Sequence, residues 1–236
     1  MSTMKDIKLG EWEYPDDWPP KRFSVSHLDV SGSQLDKFKS LVDSNAGETD
    51  IATFLNINKS VLVNSLSEFK TGHHGAWVIP KQMIRPPMTG SKKGLIPDYI
   101  LGGLSSEGFK WFVLELKGAD QKILTETNKI LYFGAVANKA ICQTIEYIDY
   151  CASAQAYLRD SLKLKDFREP KGLILIGRDT EFSNDDRHRE FKSAWNRFIG
   201  HKIEIRTYNS LLRSIESVVK HKEKSKTDSK GISSDW

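Results

Sequence analysis

Apolar positions along this chain keep two rhythms, and each rhythm predicts its own kind of element. Short runs rich in β-branched and aromatic residues recur at AWVIPK, IPDYILG, WFVLELKG, KGLILIGR and KIEIRTY. Each is too short for a typical helix and predicts a strand. The unbroken apolar stretch of KGLILIGR further predicts a strand covered on both faces. Between these runs the spacing lengthens to three and four. KRFSVSHLDV alternates as a strand, and SGSQLDKFKSLVDSN then offers a serine cap and a stripe of Leu35, Phe38, Leu41 and Val42. GETDIATFLNINKSVL predicts a short helix on Ile51, Phe54 and Leu55, and residues 136–160 a long one with Ile141, Ile145, Ile148 and Ala152 inward. A polar helix in SNDDRHREFKSAWNRFIG and a closing helix on Leu211, Leu212 and Ile215 complete the set. Strands alternating with helices at this end predict an α/β fold with a mixed sheet flanked by helices.

Three charges interrupt the pattern. Asp98 heads the run IPDYILG, Glu115 and Lys117 sit in WFVLELKG, and the glycine-rich GGLSSEG between them predicts a hairpin loop. Alternation puts Glu115 and Lys117 on the side of Trp111 and Val113, with Phe112, Leu114 and Leu116 opposite. An unpaired charge withdrawn from water costs several kcal/mol, so the group needs compensation. A plain Glu–Lys pair at a sheet margin is one form of it. The other is a divalent cation: Asp98 and Glu115 offer the hard oxygens that Mg²⁺ or Mn²⁺ prefers, and Lys117 lies close enough to hold a water or a phosphate oxygen.

Other segments supply candidates for the same centre. Glu48 precedes Ile51 by one turn and edges the buried face, which suits either a third acidic ligand or a first-turn charge favoured by the helix dipole. Asp50 is its rival, one residue out of register. On the long helix, Lys139, Gln143 and Tyr147 recur every four residues, as a solvated face or as a row looking onto the charged strand. Lys81, Arg85, Lys92 and Lys93 surround the turn-forming IRPPMTGSKKG just before Asp98. That loop reads either as ordinary surface or as a grip on a phosphate backbone.

The order of these pieces, helix with an acid, strand, Pro-Asp strand, Glu-x-Lys strand, helix with Gln-x-x-x-Tyr, strand, resembles the restriction-endonuclease-like core of the PD-(D/E)xK nuclease superfamily. ETDIATFL, PDYIL, FVLELK, the Gln143–Tyr147 helix, LILIGR and IEIRTYNSLL together look like the nuclease domain of Shedu-type bacterial antiviral proteins, over about residues 48 to 212. The resemblance implies a Mg²⁺-dependent endonuclease acting on DNA in a bacterial, phage-directed or mobile-element setting. It assigns Asp98 and Glu115 as metal ligands, Glu48 as the acid of the first helix, Lys117 as the lysine that orients water or stabilises charge, and Gln143 as the helix residue reaching the centre. Arg178 matches a family arginine that is either structural or phosphate-facing. Lys139 joins Lys81, Arg85, Lys92, Lys93 and Arg178 as a candidate nucleic-acid contact. Shedu proteins usually carry a sizeable variable domain before the nuclease, whereas about 45 residues precede Glu48 here. Sensing is then expected to be reduced, or supplied by a homo-oligomer or a partner protein.

Composition narrows the field. With 236 residues and 39% apolar content, the chain can bury one good core. The expected organisation is an N-terminal arm over 1–45, the nuclease-like domain over 46–218, and a charged, serine-rich tail over 219–236 that lacks the hydrophobics to order itself. No apolar run approaches twenty residues and no secretory start is present, so no membrane partner and a cytoplasmic setting are expected. Cys142 and Cys151 stand nine positions apart on one helix, about 13 Å along its axis, too far to bridge. His73 and His74 read as a turn rather than a metal pair. A net charge of +4 permits a nucleic-acid partner without requiring one. A P-loop and a Gly-x-Ser-x-Gly elbow are both missing from the sequence, which leaves ATP use and serine hydrolysis without support. The rival reading from another class is a catalytically silent nucleic-acid-binding or scaffold protein that keeps the nuclease fold.

Overall fold

The strand-like runs do pair, and they pair into one sheet. In a computed structural model, which describes residues 17–26, 30–65, 74–85, 94–183 and 185–231, six strands lie in the order β1-β2-β3-β4-β7-β8. They are β1 (Ser24–Val25), β2 (Gly75–Pro80), β3 (Tyr99–Ser105), β4 (Gly108–Leu116), β7 (Lys171–Leu175) and β8 (Ile203–Arg206). The first four pair antiparallel, while β4, β7 and β8 run parallel. Helices cover both faces: α1 (Gly32–Asp43), α2 (Glu48–Ile57), α3 (Lys59–Ser65) and α8 (Tyr208–Gly231) belong to one side, and α4 (Ala135–Ser153), α5 (Gln155–Asp160) and α7 (Asp186–Phe198) to the other. This is the mixed α/β architecture that the alternation of periods predicts.

Alternation along β4 divides the core. Phe112, Leu114 and Leu116 enter the cluster under α1, α2 and α8, whereas Trp111 and Val113 enter the cluster under α4. On β7, Leu173 and Leu175 face the first cluster and Ile174 the second, as does Ile176 just beyond the strand, as expected for a strand buried on both sides. Ser31 caps α1 through a reciprocal capping box with Gln34. Phe38 and Val42 are buried along that helix, and Leu35 and Leu41 pack against the cluster.

Several expectations change. GGLSSEG is not a long loop: Gly102 and Gly103 lie within β3, and only Ser106 and Glu107 separate the two strands. Gly102 pairs with Trp111, and a Cβ there would come within 2.6 Å of the indole, so its glycine allows close cross-strand packing rather than a turn. On α4 the buried stripe is Ala137, Ala140, Ile141, Thr144, Tyr147, Ile148 and Cys151. Ile145 and Ala152, expected inward, are exposed, because the small residues Ala140 and Thr144 let the helix seat closely over β7 at Gly172. A second two-stranded unit, β5 (Leu124–Thr127) and β6 (Ile130–Phe133), stands between β4 and α4. Its turn places Asn128 and Lys129 at positive φ, the geometry of a tight hairpin. α8 continues through Gly231, past residue 218, where the composition had suggested that order ends. Lysine and glutamate there are good helix formers and extend a helix already begun on a packed stripe. The leading residues 1–16, His73 and the basic pair Lys92 and Lys93 lie outside the described residues. Among the described residues no helix is long and apolar enough to cross a membrane.

Candidate functional site

The antiparallel register of β3 and β4 sets the centre. Tyr99 pairs with Leu114, so Asp98, one residue before β3, stands level with Glu115 near the end of β4. Both carboxylates are withdrawn from water, with residue exposures of 6% for Asp98 and 5% for Glu115. Each is compensated in a different way. The Leu116 N–H donates to Asp98 Oδ2 at 2.6 Å, and the Lys81 ammonium donates to Asp98 Oδ1. Glu115 receives Lys117 Nζ at 2.8 Å, and the same ammonium reaches Glu48 Oε2 at 3.3 Å. The sequence-derived set therefore meets in space, with Glu48 joined to the strand acids through Lys117. Asp50, its rival, is exposed on the same helix.

Backbone contacts hold Lys117 where it is. Its N–H donates to the Leu175 carbonyl at 2.8 Å, and the buried Tyr208 hydroxyl donates to the Lys117 carbonyl at 2.6 Å. The parallel neighbour β7 and the first turn of α8 thus fix the end of β4. Tyr208 had no assigned role in the sequence, and nothing local in the sequence marks it: its partner lies 91 residues away.

The electrostatics follow from burial and crowding of like charge. Burial pushes the Glu115 carboxyl upward, the Asp98 charge adds to that, and the hydrogen bond from Lys117 offsets only part of it. For Lys117, burial acts downward, but Glu115, Glu48 and Asp98 together outweigh it and hold the ammonium above its ordinary value. Lys117 is therefore a cation and a proton donor in this arrangement, not a free base. Tyr147 closes the centre from α4. It is buried, its hydroxyl donates to the Ile96 carbonyl at 3.3 Å, and burial followed by the Glu115 and Asp98 charges keeps the phenol protonated far above its usual range. That overturns the view of Lys139, Gln143 and Tyr147 as one solvated row: Lys139 is exposed, Gln143 is half-buried and Tyr147 belongs to the core. The stripe winds inward because 3.6 residues per turn carries successive i+4 positions around the helix.

The basic candidates separate. Lys81, expected to hang in a surface loop, binds Asp98 instead, with its N–H on the Asp98 carbonyl at 2.9 Å and its backbone at φ +47°. Arg85 pairs with Glu146 at 3.3 Å and stacks toward the Tyr150 ring. Arg178 donates to Asn45 Oδ1 at 2.9 Å and pairs with Asp43 at 3.7 Å, which ties the turn after β7 to the turn between α1 and α2. Three residues beyond Lys117, Asp120 lines a cavity of about 520 Å³ that Asn45, Arg178 and Glu181 also line.

The donor set suits a hard divalent cation. Asp98 and Glu115 supply carboxylate oxygens, and Gln143 Oε1 is a buried carbonyl oxygen without a hydrogen-bond partner among the described residues. Mg²⁺ is commonly held by only one or two carboxylates while it keeps several waters, so the two acids are enough. Among the described residues no group of three or more His, Cys, Asp or Glu side chains is arranged to hold a metal, and Lys117 stands between Glu48 and Glu115. Asp98 and Glu115 are thus the pair that could hold a cation, while Glu48 is engaged with the lysine.

In comparison with known families, residues 45–212 match the family model described as Shedu protein SduA, C-terminal. No curated protein matches the chain.

Proposed function

The chain belongs to the family of the Shedu protein SduA C-terminal region, and from that premise we propose that it is a Mg²⁺- or Mn²⁺-dependent nuclease of the PD-(D/E)xK type that cuts DNA in antiviral defence. The observation that carries this reading is the pair of buried carboxylates, Asp98 and Glu115, with the Lys117 ammonium 2.8 Å from Glu115 at the carboxyl end of β4. Stability alone does not account for such a pair, since apolar side chains of the same volume often serve the fold as well or better.

A divalent cation at Asp98 and Glu115 would polarise the scissile phosphate and make a water more acidic. Lys117, cationic throughout, donates a hydrogen bond to the phosphate oxygen on which negative charge grows, a role that requires its proton to stay in place. Glu48 and the Tyr208 hydroxyl fix the lysine's two ends, its ammonium and its carbonyl. Tyr147 keeps its phenolic proton and bounds the Glu115 side from α4, shielding that carboxylate from bulk water. Hydrolysis adds one oxygen from water to phosphorus and releases one ester oxygen, which leaves as an alcohol after gaining a proton.

The test is cleavage of plasmid and linear DNA in Mg²⁺, Mn²⁺ or EDTA. Asp98→Asn, Glu115→Gln and Lys117→Met are each expected to lose metal-stimulated cutting by about a hundredfold or more, the scale of removing one preorganised electrostatic group. Full activity in any of the three would remove the mechanism. A second reading, a silent binding protein, draws on the fact that Lys81 and Lys117 already neutralise both acids. It expects DNA binding that is equal in EDTA and Mg²⁺, with no cleavage in either.

A further inference from the structure

Beyond the acidic centre, the turn after β7, the short helix α6 (Thr180–Ser183), α7 and the start of α8 line an open surface cavity of about 370 Å³. Its distinguishing residue is Lys192 on α7. Lys192 is half-buried, lies 5.2 Å from the centre of the Phe182 ring, and has no carboxylate within ion-pair distance among the described residues. Arg189 and Arg213 line the same cavity. Arg213 holds Asp179 at 2.5 Å and Arg189 pairs with Asp186, and both arginine side chains are largely exposed. Asp179 is the one acid of the lining, and its oxygens are already occupied by Arg213 and the Thr207 hydroxyl.

Asp186 and Asp179 offset the two guanidinium groups, so Lys192, drawn partly out of water beside them, is the cation of this lining left without a carboxylate among the described residues. Burial is the main cause of a lowered Lys192 pKa, and around it Asp179 and Glu204 act upward while Arg206 and Arg213 act downward. Three cations line this one cavity, and a phosphate has enough oxygens to meet all three at once, where a carboxylate has only two. The cavity is larger than such an oxyanion alone would fill, and it falls in the size range of small-ligand sites.

We propose that this cavity binds the phosphate of a small phosphomonoester, with Lys192 as the central charge and Arg189 and Arg213 closing over it. The site is separate from the acidic centre but mechanically continuous with it. Asp179 follows Arg178 and Gly177, and the Gly177 N–H donates at 3.1 Å to the carbonyl of Gly118, the residue after Lys117. An anion that draws Arg213 away from Asp179 acts on the turn that abuts the end of β4.

Inorganic phosphate, a 5′-mononucleotide and the corresponding nucleoside are titrated into the full chain by calorimetry, with thermal shift as a second readout. The mononucleotide is expected to bind more tightly than phosphate and the nucleoside not at all. Lys192→Met is expected to weaken mononucleotide binding at least about tenfold, the scale of one lost charge-assisted hydrogen bond, whereas Lys37→Met, at an exposed position of α1 on the other face of the sheet, leaves it unchanged. Should Lys192→Met fold poorly, reductively ¹³C-methylated wild-type protein gives an independent answer: the Lys192 resonance titrates at higher pH once the ligand is bound. Equal binding by Lys192→Met, or a Lys192 resonance indifferent to ligand, overturns the proposal. Phosphate and mononucleotide binding alike would reduce it to an inorganic oxyanion site and overturn the ester assignment. Displacement of the mononucleotide by a DNA duplex without terminal phosphates would identify a backbone contact and overturn it as well. None of these readouts depends on nuclease activity, so their failure is distinguishable from failure of the nuclease reading.

Discussion

Lys117 keeps its proton because three carboxylates outweigh its burial, and this has a direct consequence for stability. Its folded pKa lies above the unfolded one, so its pairing contributes fully below the unfolded value and is lost only as pH rises through the folded value, in the alkaline range. Glu115 is also raised, but by burial: its neutral form is the one the fold prefers, so its contribution is most favourable in acid and declines as pH rises through its folded pKa. Lys117→Met removes the offsetting cation and pushes Glu115 higher still. The expected loss is about 3 kcal/mol at pH 8, the scale of an orphaned buried charge, and less at pH 5, because a raised carboxyl pKa brings the neutral form closer as pH falls. Urea unfolding at the two pH values checks this; equal losses would mean that Glu115 is not the group left exposed to the change. Tyr208→Phe removes the 2.6 Å hydrogen bond to the Lys117 carbonyl. It is expected to cost about 1 kcal/mol in the same assay, with a larger proportional fall in cleavage, since it loosens the backbone that aims Lys117.

Elements position these residues through close packing, which can be tested away from any charge. Gly172 on β7 faces α4 so tightly that a Cβ would lie 2.4 Å from Thr144 Cγ2 and 3.1 Å from Ile148 Cδ1. Gly172→Ala is expected to push α4 outward at an overpacking cost of about 1–3 kcal/mol, and to reduce activity by displacing Gln143 and Tyr147. Gly32→Ala in α1 meets nothing within 4 Å and serves as the comparison, expected within about 0.5 kcal/mol of wild type. Thermal melts of both variants decide it. The strands and amphipathic helices were legible because period and burial coincide: β4 alternates between two cores, and α1 carries its stripe in twelve residues directly after its Ser31 cap. What misled was residue type without a partner. Gly102 and Gly103 look like a loop until Trp111 lies across the first of them, and Ile145 looks like core until the small residues of α4 are seen to set its seat. The β5–β6 hairpin went unread although LTETNKILYF carries its turn, because its strands are only four residues each.

At the scale of the molecule, the acidic centre was legible in outline because its cost is visible locally: Glu115 and Lys117 break an apolar run whatever surrounds them. Its partners were not. Lys81 reaches Asp98 across 17 residues and Tyr208 reaches Lys117 across 91, contacts that exist only once β2, β3, β4, β7 and α8 are assembled. Family membership over residues 45–212 spans these strands and the start of α8, where Tyr208 lies. The most direct measurement of the central claim is cleavage of plasmid DNA by wild-type protein and by Asp98→Asn, each in Mn²⁺ and in EDTA, with folding checked by circular dichroism. The expected result is cutting only by wild type with metal, and a folded, inactive Asp98→Asn. Cutting by wild type in EDTA, or by Asp98→Asn at the wild-type rate, would contradict the assignment of Asp98 and Glu115 as the cation-holding pair.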